Sequence, residues 1–226
     1  MRDFLCIGHR GARGLEPENT LCSIRKALAL GADGVEIDVY AVEDQLVVIH
    51  DETLERTTNG SGRVEAQSFD YLRSLDAGNG EKIPTLSEVL DTVDRRAFVN
   101  IELKGKNTAG LTSGLIGEYL AKHGWKNEAF LVSSFDLDEL EKLKSSGLRL
   151  GALFTKPPEN YADIAKSLGA YSVNIAVESA NEAFVTDAHS HGLKVFVYTV
   201  NSIDEIKRIQ AIGADGVFTD YPDRMA

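Results

Sequence analysis

The sequence is short of cysteine. Its 226 residues include only two, Cys6 in a predicted strand and Cys22 in a predicted helix. Two cysteines are too few for the disulfide framework of a small secreted protein. We therefore expect two buried free thiols in a chain that works in the reducing cytoplasm.

Long apolar runs are also absent. No stretch approaches the roughly 20 apolar residues that a membrane-spanning helix needs. The N-terminal "MRDFLCIGHRG" holds a short apolar run and lacks the longer apolar region and the cleavage site of a secretory signal. We predict a cytoplasmic protein that does not insert stably into a membrane.

Positive charge is scarce. The chain has 24 lysines and arginines against 35 aspartates and glutamates, which gives a formal net charge of −11. This balance argues against nucleic-acid binding and against a basic membrane-binding patch. Because an acidic surface repels anions, an anionic substrate would require local cations or a metal ion.

Nucleotide-binding motifs are missing as well, since neither G-x-G-x-x-G nor a Walker sequence occurs. The chain instead alternates β-rich and helical segments. Strands are predicted at 4–8, 34–40, 97–103, 129–134, 148–154, 171–176, 194–200 and 216–220, and helices near 19–30, 85–94, 110–123, 136–146, 159–168, 180–190 and 202–212. This pattern predicts an α/β fold, a parallel (β/α)8 TIM barrel formed by residues 1–226 as a single domain.

Side chains suited to helix N-caps precede several of these helices. For four helices we predict that the cap residue accepts a hydrogen bond from a backbone N–H of the first turn. The candidates are Asn19, Thr85, either Ser134 or Asp136, and Ser202.

The alternation is interrupted once, after the second strand. The segment "YAVEDQLVVIHD" predicts a hairpin that extends this strand, and residues 51–84 are polar, turn-rich and only partly helical. That excursion is longer than an ordinary βα loop. We predict a small insertion at 51–84, too short at roughly 30 residues to bury a core of its own.

Three carboxylates stand near the ends of predicted strands. Glu36 and Asp38 alternate with valine and isoleucine on the second strand, and Glu102 ends the third. The ends of parallel strands meet at one barrel mouth, and an i, i+2 pair shares one face. Oxygen ligands without cysteine suit one divalent cation, Mg²⁺ or Ca²⁺, with Mn²⁺ also a candidate. The alternative is that these are ordinary exposed carboxylates at strand ends, or that they pair with Arg10 and Lys104.

Two of the five histidines, His9 and His50, also lie at strand ends. Histidines on either side of a metal can serve as general base and general acid. The sequence does not distinguish which would do which. The other three fall on helical segments or their ends, where we expect surface residues: His123, His189 and His191.

Arg10 and Lys104 would supply the cations that an anionic substrate needs, since arginine can bind a phosphate bidentately. Arg10 lies in "GHRGARG", whose glycines could let the backbone approach a ligand. These features together indicate metal-assisted hydrolysis of a phosphoester. They leave monoesters, diesters and non-hydrolytic metal chemistry open.

The motifs resemble those of the glycerophosphodiester phosphodiesterases across essentially the whole chain. The similarity is carried by "GHRGARGLEPENT", "GADGVEIDVYAVEDQLVVIHDETLERTTNGSG", "LRSLDAG", "IPTLSEVL", "NIELKG", "VSSFD", "VYTVN" and "GADGVFTDYPD". The resemblance implies a TIM barrel that hydrolyses diesters such as glycerophosphocholine or glycerophosphoethanolamine to sn-glycerol 3-phosphate and an alcohol.

The resemblance also implies roles for single residues. Glu36, Asp38 and Glu102 are similar to the metal ligands of the family, and His9 and His50 to its acid–base pair. Arg10 and Lys104 correspond to its phosphate and glycerol contacts. At Tyr198 many members carry tryptophan, which leaves the choice of alcohol open.

Two other functions are compatible with such a barrel. A related phosphodiesterase would act on a phosphoinositide or sphingolipid head group, and an exposed apolar rim would favour it. A non-catalytic module would have lost a histidine or a carboxylate from the set, whereas this chain keeps all five.

Overall fold

Eight parallel strands close into a barrel in the computed structural model, which describes residues 4–225. The first and second strands pair with each other and complete the ring. The strands of the described chain are β1 (Leu5–Gly8), β2 (Gly34–Val42), β3 (Gln45–Val48), β4 (Phe98–Leu103), β5 (Phe130–Ser134), β6 (Arg149–Phe154), β7 (Ser172–Ala176), β8 (Lys194–Tyr198) and β9 (Gly216–Thr219). The predicted TIM barrel is confirmed.

Helices follow the strands around the outside of the barrel, and one further short helix, at Phe69–Ser74, lies in the insertion. Within residues 4–225 they are α1 (Leu21–Ala29), α2 (Phe69–Ser74), α3 (Leu86–Val93), α4 (Thr108–Lys122), α5 (Leu137–Glu141), α6 (Tyr161–Leu168), α7 (Glu182–Ser190) and α8 (Ile203–Ala211). No helix of this part of the chain is long and apolar enough to cross a membrane.

Three of the four predicted N-caps are confirmed. Thr85, Asp136 and Ser202 each accept a hydrogen bond from the first turn of the following helix. The prediction for Asn19 is wrong, because Thr20 caps α1 and accepts from the backbone N–H of Ser23. Asn19 instead adopts a positive φ of 57°, and its side-chain amide donates a hydrogen bond to Asp38.

The two faces of β2 separate apolar from acidic side chains. Val35, Ile37 and Val39 are fully buried in the main core between sheet and helices. Glu36 and Asp38 alternate with them, so they point to the opposite face, the barrel interior. Glu36 and Asp38 therefore do not disturb the apolar packing between this strand and the surrounding helices.

The β2–β3 hairpin and residues 51–84 share a second apolar cluster. The hairpin contributes Tyr40, Val42 and Val47, and the insertion contributes residues such as Leu54 and Leu72, all of them buried. The insertion does not bury an apolar core alone, but it does so together with the hairpin. This packing fixes the segment in which His50 lies, between the hairpin and the insertion.

The cysteines differ from expectation in one respect. Neither forms a disulfide, and Cys6 is buried as predicted. Cys22 is only partly buried, because it lies on the first turn of α1 beside the side chains of Glu16 and Glu81.

Candidate active site

Three carboxylates meet inside the mouth of the barrel. Glu36 and Asp38 lie on β2, Glu102 lies on β4, and Asp38 is directly paired with Glu102 across the two strands. One oxygen of each carboxylate lies within 4.8 Å of the others. Burial, followed by repulsion from the neighbouring carboxylates, raises the pKa of Glu36 well above its usual range and that of Asp38 in the same direction.

Each of the two buried carboxylates has one oxygen held by the protein and one left over. The backbone N–H of Arg10 donates to Oε2 of Glu36 at 2.8 Å, and the amide of Asn19 donates to Oδ2 of Asp38 at 2.9 Å. Oε1 of Glu36 and Oδ1 of Asp38 are buried without a hydrogen bond from residues 4–225. Hard oxygens left unsatisfied inside an acidic cluster suit a divalent cation.

Two cations border the carboxylates. The Nζ atom of Lys104 lies 2.9 Å from Oε1 of Glu102, and Nε of Arg10 lies 3.3 Å from Oδ2 of Asp38. Burial opposes the charge of both groups, and attraction to the surrounding carboxylates outweighs it, so the pKa of each is raised. Both side chains therefore stay cationic at the cavity wall.

The loop between β1 and α1 places His9 and Arg10. Arg10 adopts a positive φ of 50°, which turns its N–H toward Glu36. Gly11, at φ 84°, passes so close to α1 that a Cβ there would lie 2.4 Å from Oγ of Ser23. A glycine at position 11 therefore allows the loop to pack closely against α1.

His9 is held by a carboxylate at the far end of the chain. Its Nδ1 lies 2.7 Å from Oδ1 of Asp220, which follows β9. Asp220 is fixed in turn by Asn201, whose amide donates to its Oδ2 at 2.8 Å. This contact occupies Nδ1 of His9 and leaves Nε2 for another partner.

His50 is held in the same way by its neighbour. Its Nδ1 lies 2.6 Å from Oδ1 of Asp51, and its Nε2 lies 3.3 Å from Nζ of Lys104. Burial lowers the pKa of His50, and the nearby positive charges of Arg10 and Lys104 act in the same direction. The His50 ring therefore stays neutral down to a lower pH than the ring of an exposed histidine.

These side chains surround a cavity of about 270 Å³. Its polar wall carries both histidines, both cations, Glu36 and Glu102, and its other wall is apolar: Phe135, Leu153, Tyr198 and Phe218. Phe135 and Tyr198 meet edge to face with their ring centres 6.0 Å apart. A larger cavity of about 630 Å³ lies around the strand starts, lined by residues such as Leu5 and Phe98, away from this cluster.

Comparison with known proteins decides the family. A sequence model of the glycerophosphoryl diester phosphodiesterase family matches residues 9–224. The chain belongs to this family. It is 35% identical to a glycerophosphodiester phosphodiesterase of Caldanaerobacter subterraneus, over 98% of this chain and 96% of that one. A Bacillus subtilis glycerophosphodiester phosphodiesterase is 34% identical, over 97% of this chain and 84% of its own length.

A solved structure agrees. The phosphodiesterase of Oleispira antarctica, in complex with the product sn-glycerol 3-phosphate, superposes with a TM-score of 0.89 at 31% identity, covering 97% of this chain and 94% of that one. The present protein is thus a phosphodiesterase, a hydrolase of phosphoric diesters.

In this phosphodiesterase the residues singled out from the sequence lie together. Seven of the eight line the cavity, namely His9, Arg10, Glu36, His50, Glu102, Lys104 and Tyr198. The eighth, Asp38, completes the carboxylate cluster beside them. The remaining histidines lie elsewhere; His189 and His191 are exposed on α7 and at its end, and His123 is exposed at the end of α4.

Several residues of the site were missed. Asp51 and Asp220 hold the histidines, Asn19 holds Asp38, and Glu18 accepts a hydrogen bond from Nη1 of Arg10 at 2.6 Å. The position of Asp220 just after the last strand was a usable signal, because every such strand end opens on the same mouth. Nothing local in "PENT" distinguishes Glu18 and Asn19 from helix-capping residues.

Proposed function

We propose that this phosphodiesterase hydrolyses glycerophosphodiesters, such as glycerophosphocholine and glycerophosphoethanolamine, to sn-glycerol 3-phosphate and an alcohol. The observation that carries the proposal is the cavity itself. It joins a carboxylate cluster suited to a divalent cation with two histidines, each held at Nδ1 by a carboxylate. The relatives named for glycerophosphodiesters and the product bound to the Oleispira antarctica enzyme support the choice of substrate.

Glu36, Asp38 and Glu102 would hold the cation. Oxygen-only ligands favour Mg²⁺ or Ca²⁺, with Mn²⁺ a further candidate. When bound, the ion would supply Lewis-acid polarisation of a phosphoryl oxygen and offset the negative charge of the cluster. The unsatisfied oxygens of Glu36 and Asp38 support this assignment.

Arg10 and Lys104 would bind the phosphate of the substrate. Both stay charged and both border the cavity, so they provide the local cations that an anion needs on a chain of net charge −11. Fixed positive groups of this kind stabilise charge that builds on non-bridging oxygens.

His9 and His50 would transfer the protons. In each ring the carboxylate occupies Nδ1, so proton transfer would run through Nε2, which in His50 lies 3.3 Å from Nζ of Lys104. One histidine would remove a proton from the nucleophile, and the other would protonate the departing alcohol. The nucleophile is either water or the 2-hydroxyl of the glycerol. A cyclic glycerol phosphate, seen by ³¹P NMR during turnover, would identify the 2-hydroxyl.

Tyr198 would contact the substrate from the apolar wall. Beside it Phe135 keeps 46% of its surface exposed, although it is a large apolar residue. That exposure favours a second candidate function, the hydrolysis of lysophospholipids whose acyl chain continues past the mouth of the cavity.

The test is direct. Purified protein with Mg²⁺, Ca²⁺ or Mn²⁺ is incubated with glycerophosphocholine, and sn-glycerol 3-phosphate is measured by a coupled dehydrogenase assay. We expect product, and we expect EDTA to abolish it. Lysophosphatidylcholine is assayed in parallel by the release of choline, because its other product keeps the acyl chain and is not a substrate of the dehydrogenase. A preference for it over glycerophosphocholine, with choline measured for both, would replace the first candidate with the second. Activity that survives thorough chelation would remove the cation from the proposal.

A further inference from the structure

The guanidinium of Arg56 links the carboxylate that holds His50 to the carboxylate that holds Arg10. Arg56, in the insertion, donates from Nη2 to Oδ1 of Asp51 at 2.8 Å and also bonds the other oxygen of this carboxylate through Nε. The same side chain donates from Nη1 and Nη2 to the two oxygens of Glu18, at 2.9 and 2.8 Å. Arg56 therefore holds two carboxylates, each through a two-point contact.

Each of these carboxylates also contacts side chains that line the cavity. Asp51 bonds Nδ1 of His50 at 2.6 Å. Glu18 accepts from Nη1 of Arg10 at 2.6 Å and lies 3.1 Å from Nε of Arg13, which also lines the cavity. A continuous chain of charged contacts thus runs from His50 through Arg56 to Arg10.

The contacts keep both carboxylates ionised. Burial opposes the charge of Glu18, but the hydrogen bonds of Arg56 and Arg10 outweigh it and lower its pKa to about 2. The hydrogen bonds from Arg56 likewise lower the pKa of Asp51. An anionic Asp51 keeps the proton of a neutral His50 on Nδ1 and leaves Nε2 for proton exchange with the substrate.

The network also joins two separate parts of the fold. Glu18 belongs to the loop between β1 and α1, whereas Asp51 and Arg56 belong to the insertion after the hairpin. Arg56 is 44% exposed, so its contacts are screened by water and add little to the stability of the fold. A planar guanidinium that bonds both oxygens of two carboxylates fixes the positions of Asp51 and Glu18 relative to each other. We therefore expect these contacts to orient the site more than they stabilise the fold.

We propose that Arg56 is a positioning residue that sets His50 and Arg10 relative to each other through Asp51 and Glu18. The proposal rests on the proposed roles of His50 and Arg10. It assigns the insertion a part in turnover, because the insertion supplies the donor that orients groups on both sides of the cavity.

The test compares three variants with the wild-type protein. Arg56→Ala removes the two-point contacts with Asp51 and with Glu18. Arg56→Lys keeps the positive charge but cannot form these two-point contacts, and Arg63→Ala is the matched control. Arg63 is an exposed arginine of the same insertion that forms an ion pair with Glu52 and does not reach the cavity. All four proteins are assayed for kcat and KM with glycerophosphocholine, and their thermal unfolding is recorded.

For Arg56→Ala we expect kcat to fall at least tenfold, a smaller change in KM, and a melting curve close to that of Arg63→Ala. Arg56→Lys should recover only a minor part of the loss. Millimolar guanidinium ion added to Arg56→Ala should restore part of kcat and should leave Arg63→Ala unchanged.

Three results would overturn the inference: a normal kcat for Arg56→Ala, full activity of Arg56→Lys, or a loss of kcat that is matched by Arg63→Ala. An inactive wild-type protein would instead contradict the proposed function, so the two failures are distinguishable.

Discussion

Nδ1 of His9 lies 2.7 Å from Oδ1 of Asp220, although the two residues are 211 positions apart in the chain. Closure of the barrel brings them together, because β1 pairs with β9 along its whole length. His50 obtains the same kind of partner from Asp51, the next residue. The two histidines thus have the same kind of partner at Nδ1, although the partners come from unrelated parts of the chain, and this arrangement suits the proposed acid–base pair.

The first prediction concerns Asp220. Replacing it by Asn preserves the size of the side chain and a hydrogen-bonding oxygen but removes the charge that fixes the orientation and the Nδ1–H tautomer of His9. We expect Asp220→Asn to lower kcat by about 10²–10⁴-fold, the range of general acid–base catalysis. Steady-state kinetics with glycerophosphocholine measure this.

Asp215→Asn provides the control, since Asp215 bonds the exposed His189 away from the cavity. It should leave kcat within about twofold. A normal kcat for Asp220→Asn would show that the carboxylate does not assist His9.

The second prediction separates the roles of the two histidines. His9→Ala and His50→Ala should each lower turnover of glycerophosphocholine by about 10²–10⁴-fold while leaving the circular dichroism spectrum unchanged. A diester whose leaving group is p-nitrophenolate needs no proton on departure. The variant that lacks the general acid should therefore recover much of its rate with this substrate, and the variant that lacks the general base should not.

Rate ratios for the two substrates are the measurement. Equal losses of both variants on both substrates would contradict a division into one acid and one base.

Much of this site was predictable because a parallel barrel collects its strand ends at one mouth. Once β2 and β4 are recognised, Glu36, Asp38 and Glu102 must lie near one another, and their type indicates a cation. Asp220 was within reach of the same reasoning. Glu18 and Arg56 were not, because their contacts depend on how the loop after β1 and the insertion pack, and neither loop has a periodic pattern that fixes its path.

Asn19 shows a different reason for failure. Its position before a helical segment is typical of an N-cap, and local propensity supports that reading. In the fold, however, the next residue supplies the cap, while the Asn19 amide donates to Oδ2 of Asp38. Leaving the buried carboxylate of Asp38 without this donor would cost more free energy than losing Asn19 as a cap, because Thr20 caps the helix equally well.

The third prediction tests the carboxylate cluster by calorimetry. Glu36→Gln keeps the volume of the side chain and removes one charge from the oxygen set. We expect its affinity for Mn²⁺ or Mg²⁺ to fall at least tenfold, since each ligand charge contributes to cation binding. Glu65→Gln is the control, because Glu65 is an exposed carboxylate of the insertion outside the cluster. Unchanged affinity of Glu36→Gln would remove Glu36 from the set.

The fourth prediction concerns pH and stability. The folded-state pKa of Glu36 and of Asp38 is raised, first by burial and then by neighbouring carboxylates. In the cation-free protein their protonated forms contribute stability below the unfolded pKa of about 4, and this contribution is lost as pH rises through the higher folded values. A bound cation replaces the missing protons, so its stabilising effect should increase from pH 5 to pH 8.

Thermal unfolding in EDTA and in excess Mg²⁺ at both pH values measures this effect. At 100 times Kd the ion contributes about 2.7 kcal/mol, which corresponds to a rise in Tm of about 5–10 °C for a chain of this length. We expect a rise of that size at pH 8 and a smaller one at pH 5, where protons compete for the same oxygens. Glu36→Gln should reduce the difference between the two pH values. A rise that is equal at both, in the wild-type protein, would contradict cation binding at Glu36 and Asp38.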